Sequence, residues 1–252
     1  MKIYLAGNGL WSWVDKSITG GGMGSGPYIL ESFFYADKET ERQIPYMGDF
    51  LLDSGAFTFM QSSKTHVDWN EYIERYADFV KRNKVKKYFE LDIDAIVGYD
   101  KVLEYRKRLE RLTGVQPIPV WHTNRGKDDF QRSAEEYPYV AIGGLVGTGK
   151  SEYAKKYWDM FPWFVKTAHK NKAKIHALGF TSDEGIRTFH FDSVDSTAWT
   201  AGNRFGFLYK FENGKMKKLL VPNGKRIADS KKAAQHNFDE WVKFQKWADT
   251  HL

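Results

Sequence analysis

The stretch Phe50-Leu-Leu-Asp-Ser-Gly-Ala-Phe57 decides the fold. Three apolar residues run straight into an aspartate, and a small-residue turn follows. A short run that is apolar on both sides of the alternation is the pattern of a strand buried on two faces, as parallel sheets require. Gly55 permits a tight turn, which leaves Asp53 at the C-terminal end of the strand. The local alternative is a turn in which Asp53 only accepts bonds from neighbouring N–H groups.

Working outward, the same pattern recurs. Lys2–Ala6 precedes it; Tyr88–Asp92, Ile118–Trp121, Tyr139–Ile142, Lys174–Leu178 and Phe189–Val194 follow, with a last strand over Gly206–Phe211. Helical spacing fills the gaps. Trp69, Tyr72, Ile73, Tyr76 and Phe79 recur within Asp68–Arg82, with Asp68 as N-cap. Asp100–Leu112, Ser151–Lys170, Ser182–Thr188 and Ala228–His251 read as further helices. Strand–helix alternation predicts an α/β fold with parallel strands and helical crossovers.

Between an open doubly wound sheet and a (β/α)8 TIM-type barrel, the polar residues favour the barrel. Asp53, Asp92, His122, Gly143, Gly144 and Asp195 all fall at or just after predicted C-terminal strand ends. In a barrel those ends converge on one mouth, whereas in an open sheet they spread along an edge. The 252 residues suit a single barrel domain, with a basic, aromatic and helical C-terminal extension over about 206–252.

Composition narrows the chemistry. With no cysteine, the chain has no disulfide, thiolate metal site or cysteine nucleophile. No metal and no cofactor is expected, and His66, His169 and His176 lack metal-ligand spacing. The N-terminus lacks the pattern of a signal peptide, and no run reaches the roughly 18 apolar residues of a membrane span, so the expectation is a cytoplasmic protein. The net charge of +6 admits a polyanionic partner. Lys215, Lys217, Lys218, Lys225, Arg226, Lys231 and Lys232 gather late, and aromatics are frequent along the chain, with nine tryptophans in all. Lysine interleaved with aromatics suits phosphate contacts plus base stacking, or simply a charged surface over an aromatic core.

Three further segments bear on function. Phe191-Asp-Ser-Val-Asp-Ser-Thr197 carries two aspartates three residues apart. Strand alternation puts them on opposite faces, and Asp195, nearer the rim, is the better candidate for the mouth. Ala141-Ile-Gly-Gly-Leu145 allows a flat ligand to approach the backbone. Gly144–Ser151 matches the phosphate-loop pattern between a strand and a helix, which keeps an NTP-binding protein open as an alternative. Against it, half the chain and several placed carboxylates precede that loop. The glycine-rich Gly20–Gly26 lacks the dinucleotide fingerprint and reads as a flexible loop at the mouth.

In this order Asp53–Phe57, Leu91-Asp92-Ile93, Ala141–Leu145, Ala177-Leu-Gly179 and Phe191–Thr197, about 145 residues in span, resemble the tRNA-guanine transglycosylase superfamily and its DNA-modifying relatives. The resemblance implies a TIM-barrel enzyme that exchanges guanine in a polynucleotide for a 7-deazaguanine base. It makes Asp195 the nucleophile and Asp53 the proton-transferring aspartate. Asp92 and His122 then read the base, Gly143, Gly144 and Leu145 lie along it, and Ser54 and Phe57 complete its pocket. Trp121, Trp199 and Phe57 are candidate stacking partners, and Arg204, Lys225 and Arg226 candidate phosphate contacts. The missing zinc cysteines and the replacement of the family's arginine stretch by Ala198–Asn203 make the chain similar to compact phage-type DNA transglycosylases. DNA is therefore the favoured substrate, with tRNA second. A non-catalytic nucleic-acid-binding barrel is a further alternative.

Overall fold

A computed structural model describes residues 1–7, 9, 11–55, 58, 67–144, 158–180, 182–220, 227 and 229–252, with the backbone alone at 203 and 204. In chain order the elements are β1 (Lys2–Gly7), α1 (Asp15–Thr19), β2 (Tyr28–Ser32), α2 (Lys38–Gln43), β3 (Asp49–Asp53), α3 (Trp69–Arg82), α4 (Asp94–Val97), α5 (Tyr99–Thr113), β4 (Val120–Trp121), α6 (Gly126–Glu136), β5 (Tyr139–Ile142), α7 (Phe161–Lys170), β6 (Lys174–Ala177), α8 (Asp183–Thr188), β7 (Ser193–Ser196), α9 (Ala198–Phe205), β8 (Phe207–Glu212), β9 (Lys215–Leu220) and α10 (Ser230–His251). The fold is α/β. The chain divides into two interleaved compact units: 1–30, 37–49 and 179–252 form one, and 31–36 with 50–178 form the other.

In the second unit the strands run in parallel and in sequence order. Phe33 N–H donates to the Asp53 carbonyl, Leu52 bridges Tyr88, and Phe89 bridges Ile118. Then β4 pairs with β5, and β5 with β6. Each segment lies beside its predecessor because a helical crossover returns the chain in the same direction. Helix α3 starts where the Asp68 carboxylate accepts from the N–H groups of Asn70 and Glu71. It buries Tyr72, Ile73, Tyr76, Phe79 and Val80, and Tyr76 Oη reaches the carbonyls of Leu52 and Phe89, tying the helix to two neighbouring strand segments.

In the first unit β1 pairs in parallel with β7, from Lys2 opposite Ser193 to Leu5 opposite Ser196. Helix α10, capped by Asp229, buries Phe238, Trp241, Phe244 and Ala248. Its buried polar residues serve backbone groups that lack a strand partner. Asn237 accepts from Tyr209 N–H and Glu240 from Phe211 N–H, so the outer edge of β8 is closed by side chains. The inner edge of β8 pairs with β9 in an antiparallel hairpin.

Several expectations change. Tyr88–Asp92 contributes only the two bridges at Tyr88 and Phe89. The strand expected over Phe189–Val194 begins at Ser193, after His190 takes a left-handed backbone (φ 52°) that breaks the extended run. β2, β9, α6 and the shorter helices α1, α2, α4 and α9 are additional. Gly20–Gly26 is not at the C-terminal strand ends. It leads into the start of β2, and Gly24 and Gly26 donate to the carbonyls of Pro45 and Tyr46, just ahead of β3. Among the described residues no helix is long and apolar enough to cross a membrane.

Candidate functional site

In the second unit, four of the expected site residues come together at strand ends. Ser54, fully buried, donates from Oγ to Asp92 Oδ1 at 3.3 Å. His122 Nε2 lies 3.2 Å from Asp92 Oδ2. A carboxylate only accepts, so Nε2 carries the proton in this contact. A β-carbon built on Gly143 would stand 2.8 Å from His122 Cε1 and 2.9 Å from Val120 Cγ1. The first use of that glycine is therefore to make room for the imidazole. Gly144 follows with φ 74°, a left-handed turn that suits glycine.

Asp53 sits one residue away from this cluster. Its Oδ2 accepts from Gly55 N–H at 3.0 Å, the local turn bond that the sequence allows. Tyr72 Oη donates to the Ser54 carbonyl at 2.6 Å. Burial, and then the charge of Asp53, push the Tyr72 hydroxyl well above its ordinary range. Gly55 has φ 80°, and a β-carbon there would lie 2.8 Å from Phe34 Cβ, so turn and packing both require glycine.

Behind the cluster lies a charged layer that sequence reasoning missed. Glu90, Asp92 and Asp94 occupy alternate positions, and each takes a partner from Val120–Arg125. Glu90 Oε1 accepts from Val120 N–H at 2.8 Å and from Arg125 Nη1 at 3.3 Å, while Arg106 Nε serves Oε2 at 2.5 Å. Asp94 Oδ2 accepts from Asn124 Nδ2 at 3.2 Å and Arg125 Nε at 3.3 Å. Burial raises the Asp94 carboxyl most, but the charge of Arg125 and the hydrogen bonds from Asn124 and Arg125 together outweigh it and hold the group below its usual range. Burial likewise disfavours the Arg106 and Arg125 cations, and the surrounding carboxylates more than reverse it. The signal was present in the alternating acids of Glu90-Leu-Asp-Ile-Asp94.

In the first unit Asp195 lies within β7 and is 7% exposed. Its Oδ1 accepts from Gly179 N–H at 2.6 Å. Gly179, with φ 64°, forms the turn after β6. Asp192 precedes β7, and its carbonyl accepts from Lys2 N–H.

Two stacking expectations are corrected. Trp199 is fully buried between Trp11 and Phe238, with Nε1 donating to the Ala6 carbonyl. Trp121 is buried against Phe164, and its Nε1 donates to the Gly126 carbonyl. Both belong to the core, because each indole has its apolar face and its one donor satisfied inside the protein. The Arg204 side chain, Phe57, Leu145, Lys225, Arg226, His66 and residues 145–151 of the phosphate-loop pattern lie outside the described residues. His176 is fully buried beside Phe89. Among the described residues no group of three or more His, Asp or Glu has the arrangement of a metal site.

No protein-family model matches the chain, and neither does any curated protein. Among solved structures, it is similar to the carboxyl transferase domain of Rhizobium etli pyruvate carboxylase with 3-bromopyruvate, at 11% identity and a TM-score of 0.48. That match covers 98% of this chain and 48% of the other, so the chain spans about half the length of that structure. It is also similar to a D-allulose 3-epimerase from Methylomonas sp., at 11% identity and a TM-score of 0.35, over 97% and 98% of the two chains.

Proposed function

We propose that this chain is a base-exchange transglycosylase that replaces guanine in a polynucleotide, DNA in preference to tRNA, with a 7-deazaguanine base on a closed (β/α)8 barrel. The observation that carries the reading is the placement of its polar residues. Asp195 is a strand-borne carboxylate, nearly buried and oriented by the Gly179 N–H. Asp53 ends another strand, beside the Ser54–Asp92–His122 cluster. Strand ends of parallel α/β proteins are where such sites are built.

In this reading an Asp195 carboxylate oxygen attacks C1′ of the nucleotide. The C1′–oxygen bond forms as the C1′–N9 bond to guanine breaks, through an oxocarbenium-like transition state. Asp53 gives its proton to departing guanine and later takes one from the incoming base, whose nitrogen displaces Asp195 from C1′. Asp92 and His122 offer both acceptor and donor atoms to the base edge. Extruding the target base costs a few kcal/mol, offset by contacts to the flanking strand. Lys215 and Lys218 on the exposed strand β9 are suited to phosphate contact.

Incorporation of a labelled 7-deazaguanine base into duplex DNA and into tRNA, by wild type and Asp195→Asn, tests the proposal. Label in DNA that disappears in the variant supports it, and label in tRNA alone keeps the chemistry and changes the substrate. Absence of label in both, from folded protein offered several related bases, rejects it in favour of nucleotide binding through Gly144–Ser151 or a binding protein without chemistry.

A further inference from the structure

Arg125 is a charged side chain only 2% exposed, seated between two carboxylates. Its contacts bracket one residue. Its Nη1 donates to the carbonyl of Val120, two positions before His122, and its backbone N–H donates to the carbonyl of His122 itself at 3.0 Å. Its guanidinium also lies 4.3 Å from the centre of the Tyr99 ring, which leaves it little freedom to turn. The ladder of alternate acids completes the arrangement: Glu90 and Asp94 hold Arg125, and Asp92, between them, takes His122 Nε2.

We infer that Arg125 is a positioning residue that sets the orientation and tautomer of His122, an inference that rests on the base-reading role proposed for that imidazole. In the neutral imidazole, a proton on Nε2 toward Asp92 leaves Nδ1 the unprotonated nitrogen. It lies 3.3 Å from where a β-carbon of Gly143 would stand and 3.5 Å from that of Gly144, at the end of β5. The site then presents an acceptor there, suited to a ligand N–H. Loss of Arg125 frees the turn that carries His122, and the Nε2–Asp92 contact no longer selects one tautomer. The carboxylates are set for a forked guanidinium, which lysine replaces only as a point charge.

Long-range ¹H–¹⁵N correlation spectra of protein labelled at histidine nitrogen test this without any substrate, so the result stands apart from the exchange assay. They are recorded at about pH 8, where an ordinary imidazole is neutral, and the His122 signals are assigned by their loss in His122→Gln. Wild type is expected to show a protonated Nε2 and an unprotonated Nδ1. Arg125→Met is expected to average the two nitrogens, with Arg125→Lys intermediate. Asp94→Asn, which leaves the cation in place but weakens its seat, is expected to shift in the same direction and decides the matter if Arg125→Met does not fold. Folded variants that melt at lower temperature yet keep wild-type His122 signals would mean that Arg125 only stabilises the fold, and would overturn the inference.

Discussion

The carboxylate of Asp195 and the backbone N–H of Gly179 are joined by a hydrogen bond of 2.6 Å, made from a glycine whose φ is 64°. A side chain at that torsion costs about 1–2 kcal/mol. Gly179→Ala is therefore expected to lose about that much stability in denaturant unfolding. If Asp195 is the nucleophile, turnover should fall further than stability does, with kcat reduced more than KM is raised, because the N–H orients the attacking oxygen. Wild-type kcat in a destabilised variant would argue against Asp195 as the group that reacts.

The contact between Gly143 and His122 supports a second test. A methyl group at residue 143 would stand 2.8 Å from the imidazole and 2.9 Å from Val120. Gly143→Ala should cost about 1–3 kcal/mol through overpacking. It should also move His122 off Asp92 and, if that pair reads the base as proposed, weaken binding of free guanine measured by calorimetry. His122→Gly in the same background removes the clash and should recover most of the stability without recovering guanine binding. Failure of that rescue would mean that Val120, and not the imidazole, sets the limit.

What the sequence made legible follows from which interactions are local. Short runs that end in an aspartate or run into a glycine turn marked β3, β5 and β6, because burial on both faces leaves a one-dimensional trace. The Asp68 cap and the spacing Tyr72, Ile73, Tyr76, Phe79 marked α3 for the same reason. The use of Gly143 as a seat for His122 was not legible, since it depends on side chains of adjacent strands meeting across the sheet. Trp199 carries no local mark that separates a core indole from a stacking one. β9 escaped notice because its Lys-Met-Lys-Lys-Leu-Leu run is exposed at nearly every position, so burial imposes no alternation. Asp94 and Arg125 were missed because the meaning of the alternating acids lies in a segment 31 residues away.

Stability at high pH gives a third prediction. Burial and the Asp249 carboxylate push the Tyr28 hydroxyl up to about 12, and burial and Asp129 do the same for Tyr99, also to about 12. Burial also raises Tyr72, Tyr76, Tyr88 and Tyr209. A group whose folded pKa is raised contributes stability that is complete below its unfolded value, about 10 for tyrosine. The unfolded chain releases those protons first, so unfolding free energy should decline from about pH 10 upward as the pH climbs toward the folded values. Urea unfolding at stepped pH, with phenolate absorbance followed in parallel, checks this. Flat stability across that range, with all 14 tyrosines ionising at the ordinary value, would refute it.

Salt dependence separates the basic strand from the buried tryptophan. Lys217 and Lys210 both pair with Glu212, whereas Lys215 and Lys218 lie exposed on β9, with Lys218 over the Phe207 ring. If these two lysines meet phosphates, Lys215→Ala and Lys218→Ala should each weaken DNA binding and reduce the slope of log affinity against log salt by about 1, leaving the melting temperature nearly unchanged. Trp199→Ala should do the opposite. Removing a fully buried indole costs about 3–5 kcal/mol, and it leaves the Ala6 carbonyl without its donor. The protein that remains folded should bind DNA with the wild-type salt slope. A slope unaltered by both lysine variants would move the nucleic-acid surface off β9, whereas a Trp199→Ala protein of full stability but lost binding would return that indole to the interface.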